Sequence, residues 1–416
     1  MLSTHRDFIG IVLLFFVCLI LFTYGLSGQE VIGFDSRFYL FAQEMWRNGA
    51  SWFPTTYDQP YPDYPAASTC LIYLIAHLFG EMNKYVAVLP SAILATLTLI
   101  FTYLIGALQH KRWGLYAVFF LLLTATFIKS ARSISLDLYP TLITTLCFYL
   151  VYSADKKNQP ARGAWIYLLF ILGFALRGPI GLVVPTGVVC TYYLLDKQIK
   201  RFLLVGCIAL ILLLVCSAAF LTLAYYVGGD TFMQEVLQME VLGRIDNHFL
   251  PRYFYFTNSL NSYALAFPFS ILVLLGVIFS RKGNNDQLTL LIKLIGWAAV
   301  ILIGMSVPDD KKVRYILPML PAVALIAAYP WVAPTSQRYF TYLRNITMGI
   351  FFILPLFLLC VISLIYFYVN DEALRFHPSY ASVVAVLIIM QITNIISYFT
   401  VKQRKTWIFD MPLFSS

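Results

Sequence analysis

The chain alternates between apolar runs of about 20 residues, the length that crosses a bilayer, and short polar connections. Such runs fall at 8–26, 83–108, 113–130, 136–153, 164–177, 179–195, 202–227, 261–280, 288–306, 315–333, 346–369 and 380–401. The pattern predicts an all-α polytopic membrane protein with about 12 transmembrane helices. Residues 66–80 form a shorter run that follows a proline-rich stretch and carries His77, so an interfacial or re-entrant helix is expected there. If that run crossed, the count would be about 13.

One segment departs from the alternation. Residues 31–65 carry ordinary water-soluble chemistry between two apolar runs. Within it Phe38, Phe41, Ala42, Met45 and Trp46 recur at helical spacing, which predicts a short amphipathic helix along the membrane surface with Asp35 just before it. The first apolar run is longer than a signal-peptide core and lacks a small-residue cleavage site, so a retained first helix is expected.

Composition and charge give the pattern a direction. With 60% hydrophobic and 12% charged residues, no soluble domain is long enough to fold alone. Residues 1–401 are expected to form one transmembrane domain, with 402–416 a short cytoplasmic tail. If the N-terminus lies inside, the cytoplasmic connections hold 17 of the 29 Lys and Arg but 5 of the 20 Asp and Glu. That asymmetry favours this orientation, because Lys and Arg in short loops stay inside. The outward connections are then 27–82, 129–137, 177–179, 228–260, 307–314 and 370–379. The basic connections are too short and scattered to predict nucleic-acid binding. Of seven cysteines only Cys70 lies near a boundary, and five scattered histidines offer no zinc spacing, so neither a disulfide nor a structural metal is expected.

The outward side collects the candidate chemistry. Asp35 reads as a solvated or helix-capping carboxylate, or as a base. Arg132 and Asp137 read as a snorkelling cation with an N-cap, or as an anion ligand with the group that orients it. In Leu176-Arg177-Gly178-Pro179 the cation of Arg177 is wedged between two apolar runs, where it needs a partner. Lys311, Lys312 and Arg314 place three cations within four positions on the side that otherwise avoids them, which points to a bound anion. In 228–260, Phe232, Val236 and Met239 share one face of a further surface helix, ahead of His248 and Tyr255.

Read in order, these residues resemble the membrane glycosyltransferases of the protein O-mannosyltransferase and lipid A aminoarabinose-transferase group, which share the GT-C fold. Gly33-Phe34-Asp35 is similar to the family's first-loop acidic motif, and Gln59-Pro60-Tyr61-Pro62-Asp63-Tyr64-Pro65 to its proline-tyrosine stretch. Arg132 with Asp137, Arg177-Gly178-Pro179, His248 with Pro251 and Tyr255, and Lys311 with Tyr315-Ile316-Leu317-Pro318 continue the series. The sequence departs from the family at Ser36, Phe38 and Tyr64, where relatives carry Glu, Arg and Lys. Arg37, Arg132, Arg177 or Lys311 is therefore expected to supply the charge for the donor phosphate.

The resemblance implies transfer of a sugar from a polyprenyl-phosphate donor to lipid A, an envelope glycan or a protein, on the periplasmic face of a bacterial inner membrane. Asp35 would be the base of a single inverting displacement. Asp63 would position the acceptor or hold an accessory divalent cation, and Tyr64, Asp137, His248 and Tyr315 would assist. No further cofactor is implied. A transporter or lipid flippase is the rival from another class, but carriers keep ionisable groups near the midplane, whereas these gather at helix ends. A non-catalytic subunit of an envelope-assembly complex is a further alternative.

Overall fold

Helices form where the apolar runs fall, and they break where turn-forming residues stand. The computed structural model describes residues 5–26, 31, 34–63, 66–240, 250–280, 285–309, 311–333 and 338–368, with isolated positions between 384 and 395. The run expected at 380–401 lies almost wholly outside them. The chain divides into two compact units. The first, Met1–Leu275 with Lys282–Tyr329, holds all the chemistry discussed below. In the second, Gly276–Arg281 with Pro330–Ser416, Gly276 leaves no room for a side chain beside Tyr339 and Phe340.

The elements in order are α1 (His5–Thr23), α2 (Phe34–Asn48), a two-stranded antiparallel hairpin of β1 (Thr55–Thr56) and β2 (Gln59–Pro60), α3 (Ala67–Phe79) and α4 (Lys84–Ala107). Then follow α5 (Lys111–Leu122), α6 (Ala125–Ala131), α7 (Leu138–Lys156), α8 (Trp165–Arg177), α9 (Pro179–Leu195) and α10 (Ile199–Glu240). The series closes with α11 (Phe254–Ser262), α12 (Ala266–Ser280), α13 (Asn285–Ser306), α14 (Leu320–Ala327) and α15 (Arg338–Tyr368). Among the described residues, 6 helical stretches are long and apolar enough to cross a membrane, or 8 if each of two bent pairs counts as one span. The protein is a multi-pass membrane protein.

Three runs expected as single helices are broken. Residues 113–130 fall in α5 and α6, bent by 77°, and 261–280 in α11 and α12, bent by 110°. Residues 315–333 begin in a 3-10 segment, Val313–Met319, before α14. There Pro318 has no N–H to donate, and with Pro321 close behind a regular α-helix cannot start earlier. At the third break the chain turns polar backbone toward its neighbours. Tyr263 Oη, at the second bend, donates to Val313 O at 2.8 Å, and Trp297 Nε1 of α13 donates to Pro318 O at 3.0 Å.

The short α3 agrees with an interfacial or re-entrant run, since 13 residues rise only about 20 Å. Trp46 of α2 packs on its His77 with ring centroids 4.7 Å apart. The surface helix expected after 228 is the end of α10, which breaks at Gly228 and Gly229. Phe232 and Val236 beyond the break bury themselves with Ala224 around Phe53. The two large connections 27–82 and 228–260 are thereby pinned together by one aromatic side chain.

Ion pairs join groups that the charge pattern put on one side. Lys156 pairs with Asp286 at 2.9 Å, Arg201 with Asp155 at 3.2 Å, and Lys293 with Asp196 at 2.7 Å. Five of the six belong to connections assigned inside, and Lys293 lies near the start of the adjoining run 288–306. At the same end His110 caps α5, its Nδ1 accepting from the Arg112 N–H at 3.2 Å. Burial first, then the Arg112 charge, hold its pKa below the ordinary histidine value. A lowered folded pKa means the unfolded chain binds the extra proton first, so this stability is present above about pH 6.5 and lost as pH falls through the folded value. The melting temperature of the wild type should therefore drop more between neutral and mildly acid pH than that of His110→Asn, which caps without titrating.

Candidate functional site

The site is built outward from an elbow between α8 and α9. Arg177 is the last residue of α8, Pro179 the first of α9, and Gly178 between them has φ 65° and ψ −156°. That backbone region is essentially open only to glycine, and proline suits the first helical position because it has no N–H to leave unsatisfied. The elbow closes tightly, since a Cβ on Gly181 would stand 2.0 Å from Gly173 O and 3.2 Å from Arg177 Cβ. Backbone cannot yield as a flexible side chain can. Gly181→Ala should cost about 1–3 kcal/mol by overpacking, seen as a lower melting temperature than that of Gly206→Ala, where nothing lies within 4 Å.

The elbow delivers Arg177 into the interior, 2% exposed. Its Nη2 and Nε donate to Asp137 Oδ1 at 2.9 and 3.3 Å, and Arg314 Nε stands 3.2 Å from Asp137 Oδ2. Asp137 holds the N-cap position of α7, yet its side chain makes no cap bond. Its carboxylate serves two guanidiniums instead. Buried charge is tolerated when paired in this way.

The 3-10 segment carrying Arg314 is held by the Tyr263 and Trp297 bonds already described. Tyr263 and Tyr255 are fully buried, and Tyr263 stands within electrostatic reach of both Asp137 and Tyr255. Just before the segment, the buried Lys311 donates from Nζ to Leu250 O at 3.1 Å. Tyr315 is half-buried under Lys312 and Arg314, 5.7 and 5.9 Å from its ring centroid.

The first loop adds a second charged pair. Arg37 Nη2 lies 3.0 Å from Asp63 Oδ2, and the guanidinium covers Phe38 at 4.9 Å and Phe41 and Tyr61 at 5.9 Å. The hairpin beside it turns through Tyr57 and Asp58, both at positive φ. Glu44 Oε1 accepts the Tyr57 N–H and Asp58 Oδ1 accepts from Asn48 Nδ2, each at 2.6 Å. Helix α2 buries Phe38, Phe41, Ala42 and Met45 as its spacing requires. It begins one residue earlier than Asp35, so Asp35 lies in its first turn and not before it. A carboxylate there is favoured by the helix dipole. The side chain of Asp35, and Tyr64 and His248 altogether, lie outside the described residues.

A small cleft joins the two parts. It is lined by Phe38 of α2, Ile72 of α3, Ser91 of α4, and Ile134, Leu136 and Tyr139 around Asp137. The helix that bears Asp35 and the segment that bears Asp137 thus share one depression. The structure brings Asp137 together with Arg177, and Arg37 with Asp63. It adds Arg314, one of the three cations at 311–314, of which the family resemblance brings only Lys311 to the donor phosphate. Arg132 stands elsewhere: its Nη1 donates to Leu21 O and Phe22 O at 2.9 and 3.2 Å, and its Nη2 to Tyr24 O at 2.8 Å. Among the described residues no three His, Cys, Asp or Glu side chains cluster as metal ligands, and Asp63, the candidate for an accessory cation, is in the ion pair with Arg37.

Comparison with known proteins agrees with this architecture. Residues 63–226 match the family model described as dolichyl-phosphate-mannose-protein mannosyltransferase. An uncharacterized protein of Aquifex aeolicus is 26% identical over 315 residues, covering 74% of this chain and 61% of its own length. The undecaprenyl phosphate-alpha-4-amino-4-deoxy-L-arabinose arabinosyl transferase of Yersinia enterocolitica is 25% identical over 312 residues, covering 71% of this chain and 54% of its own. The chain thus spans little more than half the length of such curated relatives. The crystal structure of ArnT from Cupriavidus metallidurans bound to undecaprenyl phosphate superposes with a TM-score of 0.71 at 15% identity, over 95% of this chain and 72% of that one. The likeness in structure gives the fold: the protein has the GT-C fold seen in the ArnT crystal structure, and its sequence is similar to membrane glycosyltransferases of the ArnT and protein-mannosyltransferase type.

Proposed function

We propose that the protein transfers a sugar from a polyprenyl-phosphate-linked donor to a lipid or glycan acceptor at the periplasmic face of a bacterial inner membrane. The observation that carries this reading is the Arg177–Asp137–Arg314 cluster, which gathers two guanidiniums on one buried carboxylate, with the buried Lys311 three residues before Arg314. Phosphate oxygens are bound well by guanidinium forks, and charge developing on a leaving phosphate is stabilised most where donors are already fixed in place.

The displacement balances simply. The acceptor oxygen forms a bond to the anomeric carbon, the bond from that carbon to the donor phosphate oxygen breaks, and the acceptor proton passes to the Asp35 carboxylate. The departing polyprenyl phosphate keeps its negative charge, held by Arg177, Arg314 and Lys311. Phosphate is a good leaving group, so one base and several cations suffice. Arg37 pairs with Asp63 and shapes the first loop, and Asp63 with Tyr64 serves to position the acceptor.

The test is transfer of labelled sugar from a polyprenyl-phosphate donor pool to envelope fractions by membranes with and without the protein. Label appearing only with the protein supports the reading, and the labelled fraction gives the acceptor class. No transfer despite available donor overturns it, and lipid translocation becomes the activity to measure.

A further inference from the structure

The last carbonyls of a helix have no partner within it. At the end of α1 one side chain answers several of them, since the Arg132 guanidinium takes the carbonyls of Leu21, Phe22 and Tyr24. A cation there also meets the negative end of the helix dipole. The contact is reinforced beneath by the fully buried Phe22, packed edge-on against Phe127 of α6 at 6.2 Å. Beyond Gly25 the chain runs on to α2 and Asp35.

The segment that holds the α1 terminus also holds the cations. Three residues past Arg132, the Ser135 N–H donates to Ser91 Oγ of α4 at 3.0 Å. Two further on, Asp137 binds Arg177 and Arg314. A stretch of chain anchored at both points has little freedom to slide. The start of the connection to Asp35 and the cation cluster are therefore referenced to the same short segment.

We infer that Arg132 is a positioning residue, which fixes the end of α1, where the chain sets out toward Asp35, relative to the Asp137–Arg177–Arg314 cluster, and that it is not a ligand of the donor phosphate. The inference rests on the proposed glycosyl transfer, but its test separates the two. Arg132→Gln and Arg132→Lys are compared with the wild type for labelled transfer, for equilibrium binding of polyprenyl phosphate, and for amide hydrogen exchange across residues 20–40 and 134–141.

Misplacing a reacting group by about 1 Å lowers turnover on the order of 10²-fold, so Arg132→Gln should lose about that much. Arg132→Lys, which keeps the charge but not the fork, should recover part of it. Binding of polyprenyl phosphate should stay within about twofold, and exchange should quicken in 20–40 but not in 134–141. A roughly tenfold loss of binding with unchanged exchange would make Arg132 a phosphate ligand and overturn the inference. Unchanged turnover, or exchange quickened evenly over both segments, would also overturn it. Should Arg132→Gln fail to accumulate, Arg132→Lys is read by the same criteria. Should the wild type transfer no sugar, the enzyme reading falls while exchange and binding still decide where Arg132 acts.

Discussion

Asp35→Asn is expected to lose sugar transfer by about 10²–10⁴-fold, the range that a positioned general base contributes, at unchanged membrane abundance. Asn keeps the shape of the side chain and removes the base. Because Asp35 lies in the first turn of α2, the exchange also gives up part of a favourable dipole interaction, about 0.3–1 kcal/mol, too little to unfold the protein. Binding of polyprenyl phosphate should persist, since the cations assigned to it are Arg177, Arg314 and Lys311. Transfer equal to wild type would remove Asp35 as the base while leaving the enzyme in place. Loss of donor binding together with transfer would show that Asp35 shapes the donor site instead.

The largest effect on stability is expected from Asp137→Ala. Removing the carboxylate takes from the guanidinium of Arg177, 3% exposed at its side chain, its ion pair with Asp137, and breaking such a buried pair costs about 3–5 kcal/mol. Arg314 suffers less, because its side chain is 29% exposed and reaches water. The melting temperature in detergent should fall by far more than for an exposed control such as Asp286→Ala. Replacing the pair by apolar residues, Asp137→Leu with Arg177→Met, should recover much of the loss, while donor binding remains lost. A small effect of Asp137→Ala on stability would mean that the cluster is hydrated and its ion pairs weak.

Much of this was legible in the chain. Run length set the helical membrane class, and the spacing of Phe38, Phe41, Ala42 and Met45 showed which face of α2 is buried. Arg177 drew attention for a sound physical reason, since a cation flanked by apolar runs and followed by Gly-Pro needs a partner, and it has one in Asp137. The breaks within residues 113–130 and 261–280 were not legible. Hydropathy averaged over a window is blind to a bend of two or three residues, and neither bend carries a proline at its corner. The hairpin at Thr55–Pro60 was missed for a related reason: its turn residues, Tyr57 and Asp58, adopt positive φ and are held by Glu44 and Asn48 of α2, distant partners that local spacing does not reveal.

The site divides in the same way. Sequence order alone placed Asp35, Asp63, Asp137, Arg177 and Lys311 in connections on one side of the membrane, because charge in short loops and residue type at helix ends are local properties. Which cation serves which anion is not local. Asp137 lies close in sequence to Arg132, yet its carboxylate meets Arg177 and Arg314, brought to it by the α8–α9 elbow and the 3-10 segment. Arg132 instead turns to the open end of α1. A guanidinium takes whichever acceptors the packing of backbones leaves within reach, and that competition is settled only when the helices are assembled.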